Sequence, residues 1–126
     1  MILAIVGSGL LVDHSEAWRL IREAFRKYDP DGFTSGGAKG IDSMAEEYAR
    51  LNWRDIPEDR IFIFKPIVHR WEGPGGFRAR NLLIAEKCDA LVRIVSSRTK
   101  TYGSGWTRDR AKEMGKPTED FVVEQP

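Results

Sequence analysis

What the chain lacks narrows its class first. A single cysteine, Cys88, has no partner for a disulfide within the chain, and with only two well separated histidines, His14 and His69, there is no zinc-binding spacing. A reducing, cytoplasmic setting is therefore expected, and no metal site. No apolar run approaches the roughly 20 residues of a membrane span, so no helical membrane segment is expected. Met1 to Val6 is apolar, but it lacks a basic leader, is broken by Gly7 and is too short for a signal-peptide core. It reads as a first strand. Neither sign of charge dominates: 20 basic against 19 acidic residues, net +1, argue against a generally basic nucleic-acid surface and leave room for a local patch. No repeat, low-complexity tract or linker divides the 126 residues, so one domain, 1–126, with one complete core is expected.

What is present is a regular alternation. Apolar runs of strand length occur at Ile2 to Val6, Ile61 to Phe64, Ala90 to Val95 and Phe121 to Val123, with a weaker one at Phe33 and Thr34. Most are continuous rather than alternating, the pattern of strands covered on both faces. Between them lie segments of helical period: Ala17, Ile21, Ala24, Phe25 and Tyr28; Ile41, Met44, Ala45 and Tyr48; Phe77, Ile84, Ala85 and Cys88; Trp106, Ala111 and Met114. Asp13 and Glu16 have the spacing of a capping box before the first helix, and Gly115, Lys116 and Pro117 close the last one. The order β-α-β-α-β-α-β-α-β, with right-handed crossovers, predicts an α/β fold. It is a three-layer α/β/α sandwich on a mainly parallel sheet of about five strands.

In such a sheet the loops leaving strand C-termini share one edge, and ligands bind in the crevice there. Four loops qualify: Gly7-Ser8-Gly9, Ser35 to Gly40, the long Lys65 to Gly76 connection, and Ser96 to Gly105. Three carry paired or near-paired glycines just before a helix, which lets an anion approach backbone amides and the positive end of a helix dipole. Gly-rich turns also occur for steric reasons alone; it is the convergence of several that points to phosphate. Gly7-Ser8-Gly9 lacks the third glycine of a dinucleotide fingerprint, and no G-x-x-x-x-G-K-S/T occurs, so P-loop ATP hydrolysis is not expected. In the long loop Trp71 either stacks on a base or fills a gap in the core, and His69 is either a general acid or base or a solvated side chain. Arg78 and Arg80 sit at the wrong end of a helix for a cation unless an anion lies nearby, and Arg80 is the stronger candidate for that contact. Ser104 and Thr107 can donate to phosphate oxygens, and Asp109 complements the dipole of its own helix.

These pieces together, "SGGAKGIDSMAEEYA", a tryptophan loop leading to "GPGGFRARN", "CDALVRI" and "GSGWTRDRAKEMGKP", resemble the SLOG superfamily of Rossmann-like nucleotide-binding proteins, in particular its YspA/YpsA-related branch. The resemblance runs from the first strand to about Val123. Its most specific parts are Ser35-Gly36-Gly37-Ala38-Lys39-Gly40-Ile41-Asp42 and Arg80-Asn81. It implies a nucleotide or nucleotide sugar held over the glycine loops, and association of two copies through helices of this layer, to which Leu82, Leu83 and Ile84 would contribute. Two enzyme relatives imply N-glycosidic cleavage. The Lonely-guy phosphoribohydrolases carry G-G-x-G-T-x-x-E, but with Thr107 on the threonine, Arg110 stands where the glutamate belongs; deoxyribosyltransferase-like proteins have a comparable glutamate, with which Asp109 and Glu113 are out of step. A carboxylate is required for that chemistry, which leaves Asp42 and Asp109 as the acids, unless Asp42 caps or orients the glycine loop. A third relative, the DNA-processing protein of natural transformation, carries a similar S-G-G-A-x-G-I-D stretch and binds single-stranded DNA. Here Lys39, Arg70, Arg98 and Lys100 would supply charge and Trp71 or Tyr102 would stack.

The expectation is therefore a sensor or binding module for a nucleoside phosphate, nucleotide sugar or ADP-ribose type of ligand, with no separate cofactor. Gly7, Ser8, Gly9, Ser35, Gly36, Gly37, Ala38, Lys39, Gly40 and Asp42 would line one side. Trp71, Arg80, Asn81, Gly103, Ser104, Gly105 and Thr107 would line the other. A nucleoside-monophosphate glycosidase using Asp42 or Asp109, and single-strand binding, are the alternatives.

Overall fold

Apolar stripes at i, i+3, i+4, i+7 and i+8 build the two best-defined helices. In α1 (Ser15–Tyr28) the buried residues are Ala17, Leu20, Ile21, Ala24 and Phe25, and in α2 (Ile41–Leu51) Ile41, Met44, Ala45, Tyr48 and Ala49 repeat the same spacing. The computed structural model describes residues 1–9, 14–98 and 102–124; Asp13 of the expected capping box and Lys100 lie outside them. The remaining elements are β1 (Ile2–Gly7), β2 (Gly32–Ser35), β3 (Ile61–Ile63), α3 (Phe77–Lys87), β4 (Ala90–Ser96), α4 (Tyr102–Glu113) and β5 (Thr118–Val123). The strands form one sheet in the order β3-β2-β1-β4-β5, and every pairing is parallel. The two central strands run in register from Leu3 opposite Ala90 to Gly7 opposite Ile94. This is a Rossmann-like fold.

Side-chain alternation sends each central strand into two cores. Leu3 and Ile5 of β1, with Val92 and Ile94 of β4, pack beneath α1 and α2, where Phe25 and Phe33 stack at 5.8 Å. Ala4, Val6 and Leu91 face α3 and α4 with Ile84, Ala85, Cys88 and Ala111. That second core is made largely of small residues, which lets α4 lie close to the sheet. Its inward stripe is Ser104, Thr107 and Ala111, polar at the N-terminal end and apolar beyond.

Two boundaries differ from the sequence reading. β5 starts at Thr118 rather than near Phe121, because Leu91 to Ser96 of β4 pair with all six of its residues. α4 begins at Tyr102, so Gly103, Ser104 and Gly105 lie inside its first turn rather than in a loop before it. Thr107 Oγ1 donates back to the Gly103 carbonyl at 2.8 Å and Asn81 Nδ2 donates to the same oxygen at 3.3 Å, which holds that turn in place. The Lys65 to Gly76 connection has no regular element, yet it is tied to itself: the Ile67 and Val68 amides donate to the Gly75 carbonyl at 2.7 and 3.0 Å. No helix among the described residues is long and apolar enough to cross a membrane.

Candidate functional site

The strand order reverses between β1 and β4, and beyond their C-terminal ends the chain leaves a crevice, the position at which open α/β sheets bind ligands. The buried polar residues gather toward this edge: Ser8, Thr34, Ser35, Asp42, Asn81, Ser96, Ser104 and Thr107. Burying polar groups costs stability unless they are bonded, so each partner can be followed. Ser35 Oγ donates to the Ile5 carbonyl at 2.7 Å. The Ser8 hydroxyl accepts from the Ser96 amide at 2.8 Å, while the Ser8 carbonyl accepts from the Ile41 amide at 3.0 Å. These two serines therefore fasten strand ends to each other and to α2.

Asp42 and Arg80 form the centre. The Gly36 amide donates to Asp42 Oδ2 at 3.2 Å, and Arg80 Nη1 donates to the Gly36 carbonyl at 2.6 Å, so the two side chains grip both ends of one glycine. Arg80 also donates to the Phe64 carbonyl at 3.1 Å and, through Nε, to Asn81 Oδ1 at 2.6 Å. A Cβ at Gly36 would lie 2.4 Å from Arg80 Nη1 and 2.9 Å from Asp42 Oδ2, so no side chain fits between them. Gly40, at φ +91°, turns the chain into α2 where a Cβ would stand 2.3 Å from the Ser8 carbonyl oxygen. Burial pushes the Asp42 carboxyl up to about 6; Arg80 and the amides of Ala38, Gly36 and Gly7 hold it from rising further. Burial correspondingly lowers the Arg80 guanidinium, with Asp42 pulling the other way.

The glycine loop read as a cradle for an outside anion thus holds an internal one. The carboxylate that follows it by six residues takes the Gly36 amide. The first amides of α3 are also engaged, Phe77 N donating to the Arg70 carbonyl at 2.8 Å and Arg78 N to the Trp71 carbonyl at 3.0 Å.

Two adjoining hollows open here. One, about 160 Å³, is lined by Val6, Gly7, Ala38, Asp42, Arg80, Asn81, Ile84, Gly103, Ser104 and Thr107. The other, about 250 Å³, is lined by Gly36, Gly37, Ala38, Lys65, Pro66, His69, Phe77 and Arg80. They meet at Ala38 and Arg80, and together they reach the size at which small-ligand sites begin, about 300 Å³. Of the residues singled out in the sequence, Ser8, Gly9, Ser35, Lys39, Gly40, Trp71 and Gly105 line neither hollow. Ser8, Ser35 and Gly40 support the walls, and Trp71 stands behind Gly103. Asp109 is apart from the crevice, exposed, its Oδ1 accepting from Arg108 Nε at 2.9 Å.

Sequence reasoning missed Arg93. Its Nε donates to the Ser104 hydroxyl at 2.9 Å and its Nη1 to Asp120 at 2.9 Å, so a residue inside β4 braces a lining group of the crevice. The signal was present: one arginine in the buried run "ALVRIVS" must have partners. It also undervalued Arg78, whose guanidinium lies over the Trp106 ring at 5.5 Å. Among the described residues no group of three histidine, cysteine or acidic side chains is placed to hold a metal ion.

Fold and crevice together define a Rossmann-like α/β domain with an open polar site at the switch point of its sheet. No protein-family model matches the chain, and no curated protein does. Among solved structures it is similar over 100% of its length, with a TM-score of 0.63 and 20% identity, to DNA processing protein A from Helicobacter pylori, studied for its single-stranded DNA binding mode. The present chain spans 66% of that protein. At this identity the likeness establishes the fold.

Proposed function

We propose that the crevice binds a nucleotide or nucleotide-derived ligand, such as a nucleoside phosphate, nucleotide sugar or ADP-ribose type of molecule, and that the chain serves as a sensor or binding module for it. The observation that carries this reading is the convergence, in one crevice, of a buried acid, a half-buried guanidinium, an amide side chain and the hydroxyl-bearing first turn of α4. A carboxylate beside two hydrogen-bonding side chains suits the hydroxyls of a ribose, so Asp42 and Asn81 take the sugar. The start of α4, with Ser104 and the positive end of the helix dipole, takes the phosphate, and Arg80 bridges the two. A base that extends out of the crevice past Gly103 would meet Trp71, which stands behind that glycine. Association of two copies through α3 belongs to the same reading, since Leu82 and Leu83 are 36% and 48% exposed on its outer face.

A second reading is favoured by Asp42 itself. A carboxyl held near 6 in a crevice can exchange a proton at neutral pH, as cleavage of an N-glycosidic bond requires. Asp109, exposed and ion-paired outside the crevice, does not share that setting. This reading expects free base to be released from a nucleoside monophosphate, and the release to stop in Asp42→Asn.

The test is a thermal-shift titration with nucleoside mono-, di- and triphosphates, cyclic nucleotides, ADP-ribose and NAD. At least one ligand is expected to raise the Tm of the wild type with concentration. Arg80→Ala strands Asp42 without its countercharge, so Arg80→Lys, which keeps the charge but loses the fork, is measured beside it; both are expected to bind at least tenfold more weakly. A panel that moves no Tm would overturn the proposal.

A further inference from the structure

We infer that the second hollow, the one lined by Lys65 and Phe77, is the base pocket of the crevice, and that it selects bases edged with carbonyl oxygens over bases edged with amino groups; the inference rests on the crevice reading above. In a nucleotide, phosphate and base leave the ribose from carbons on opposite sides of its ring oxygen. With the phosphate on the first turn of α4 and the ribose against Asp42 and Asn81, the base is therefore directed away from α4. The first hollow opens there into the second, since Ala38 and Arg80 line both.

The walls suit a planar ring. Pro66 and Phe77 are half-buried, His69 meets the Phe77 ring edge-on at 5.8 Å, and the Arg80 guanidinium lies over the same ring at 5.6 Å. At about 250 Å³ this hollow is the larger of the two, and Gly36 and Gly37 leave part of its wall bare of side chains. Gly37, at φ +69°, is also where the stem of Lys65 rests: a Cβ there would stand 2.8 Å from Lys65 Cε and 3.1 Å from Lys65 Cγ. Lys65 thus lines the hollow with its stem laid along the glycine loop.

Hydrogen-bonding character selects the base. The charged side chains that line this hollow, Lys65 and Arg80, are donors only, and no acid lines it among the described residues. Arg80 commits Nε to Asn81 and Nη1 to the Gly36 and Phe64 carbonyls. Its Nη2 makes no hydrogen bond among the described residues, and neither does the Lys65 ammonium or the Gly37 amide. Three sets of unengaged donors therefore border one hollow. Hypoxanthine, guanine and uracil present a carbonyl oxygen where adenine and cytosine present an amino group. A carbonyl accepts from an ammonium or a guanidinium, whereas an amino group sets donor against donor and leaves both unpaired.

The test is a calorimetric titration with inosine, adenosine, uridine and cytidine 5′-monophosphates and with ribose 5-phosphate. The inosine nucleotide is expected to bind about tenfold more tightly than the adenosine one, and the uridine nucleotide about tenfold more tightly than the cytidine one, the size of one hydrogen bond to a charged group. Lys65→Met keeps an unbranched stem over Gly37 and removes the ammonium. At this exposed position it is expected to leave the Tm without ligand unchanged and to bring both ratios toward one. Equal affinities within each pair in the wild type, or ratios that persist in Lys65→Met, would overturn the inference. Ratios lost in Trp71→Ala instead would place the base past Gly103 and overturn it as well. Ribose 5-phosphate has no base and so reports on the crevice alone. If it binds while the ratios are absent, only the base pocket falls; if neither it nor any of the four nucleotides binds, the crevice reading falls too.

Discussion

Asp42 shows how one residue acquires its properties from surroundings that no local window contains. The sequence places an acid at a helix start, where capping, loop support and proton transfer all remain open. The fold buries it, which raises its pKa from 3.8 to about 6 against the opposing pull of Arg80 and the Gly36 amide. For a carboxyl whose folded pKa is raised, the folded chain still holds a proton that the unfolded chain has released. Stability therefore falls as pH rises from about 4 to about 6 and levels off above that. Asp31, held low by the N-terminus and Arg60, and Glu119, held low by Lys27 and Tyr28, act in the opposite sense: their contribution is present at neutral pH and is lost as pH falls. In Tm measured across pH, Asp42→Asn is expected to remove the decline between about pH 4 and about 6 while keeping the acid limb. A variant profile parallel to that of the wild type would show that Asp42 is not the titrating group.

At the scale of elements, α1 and α2 were legible because burial repeats at helical spacing within a few turns of chain. The end of α4 was legible as well. Gly115 has φ +79° with nothing within 4 Å of a built Cβ, and the Lys116 amide returns to the Ala111 carbonyl at 3.1 Å. Only backbone conformation demands glycine there. Gly115→Ala is expected to cost about 1 kcal/mol in urea unfolding and Gly115→Asn less, since asparagine tolerates the left-handed region better. Equal costs for the two would refute that account. The start of α4 was not legible, because "TYGSG" has low helix propensity and its first turn is held by Asn81 and Thr107 rather than by its own preferences. β5 was read three residues short because its first half, Thr118 to Asp120, is polar; those acids meet Lys27, Arg93 and Arg108 across the structure.

For the whole molecule, the sheet order fixes where stability and function lie. β1 and β4 are central and buried, whereas β3 is a three-residue edge strand, partly exposed throughout. Hydrogen exchange is expected to be slowest at the amides of Leu3 to Val6 and Leu91 to Val95, which open only on global unfolding, and at least a hundredfold faster in Ile61 to Ile63. Uniform protection across the sheet would contradict this. The long loop that follows β3 and lines part of the crevice is thus carried by an edge strand, whereas Gly7 stands at the end of the central strand β1.

The sequence by itself determined the alternation of strands and helices, the parallel sheet, the edge at which loops gather, and the prominence of Gly36 to Asp42 and Arg80. Each is written in periodicity or in glycine placement within short windows of chain. The tertiary structure alone decided that Asp42, not an outside anion, takes the Gly36 amide, that Arg80 reaches a carbonyl 44 residues away, and that Arg93 braces Ser104. The physical reason is that hydrogen-bond partners depend on which strand ends become neighbours. That order is set by packing the whole sheet rather than by any one segment.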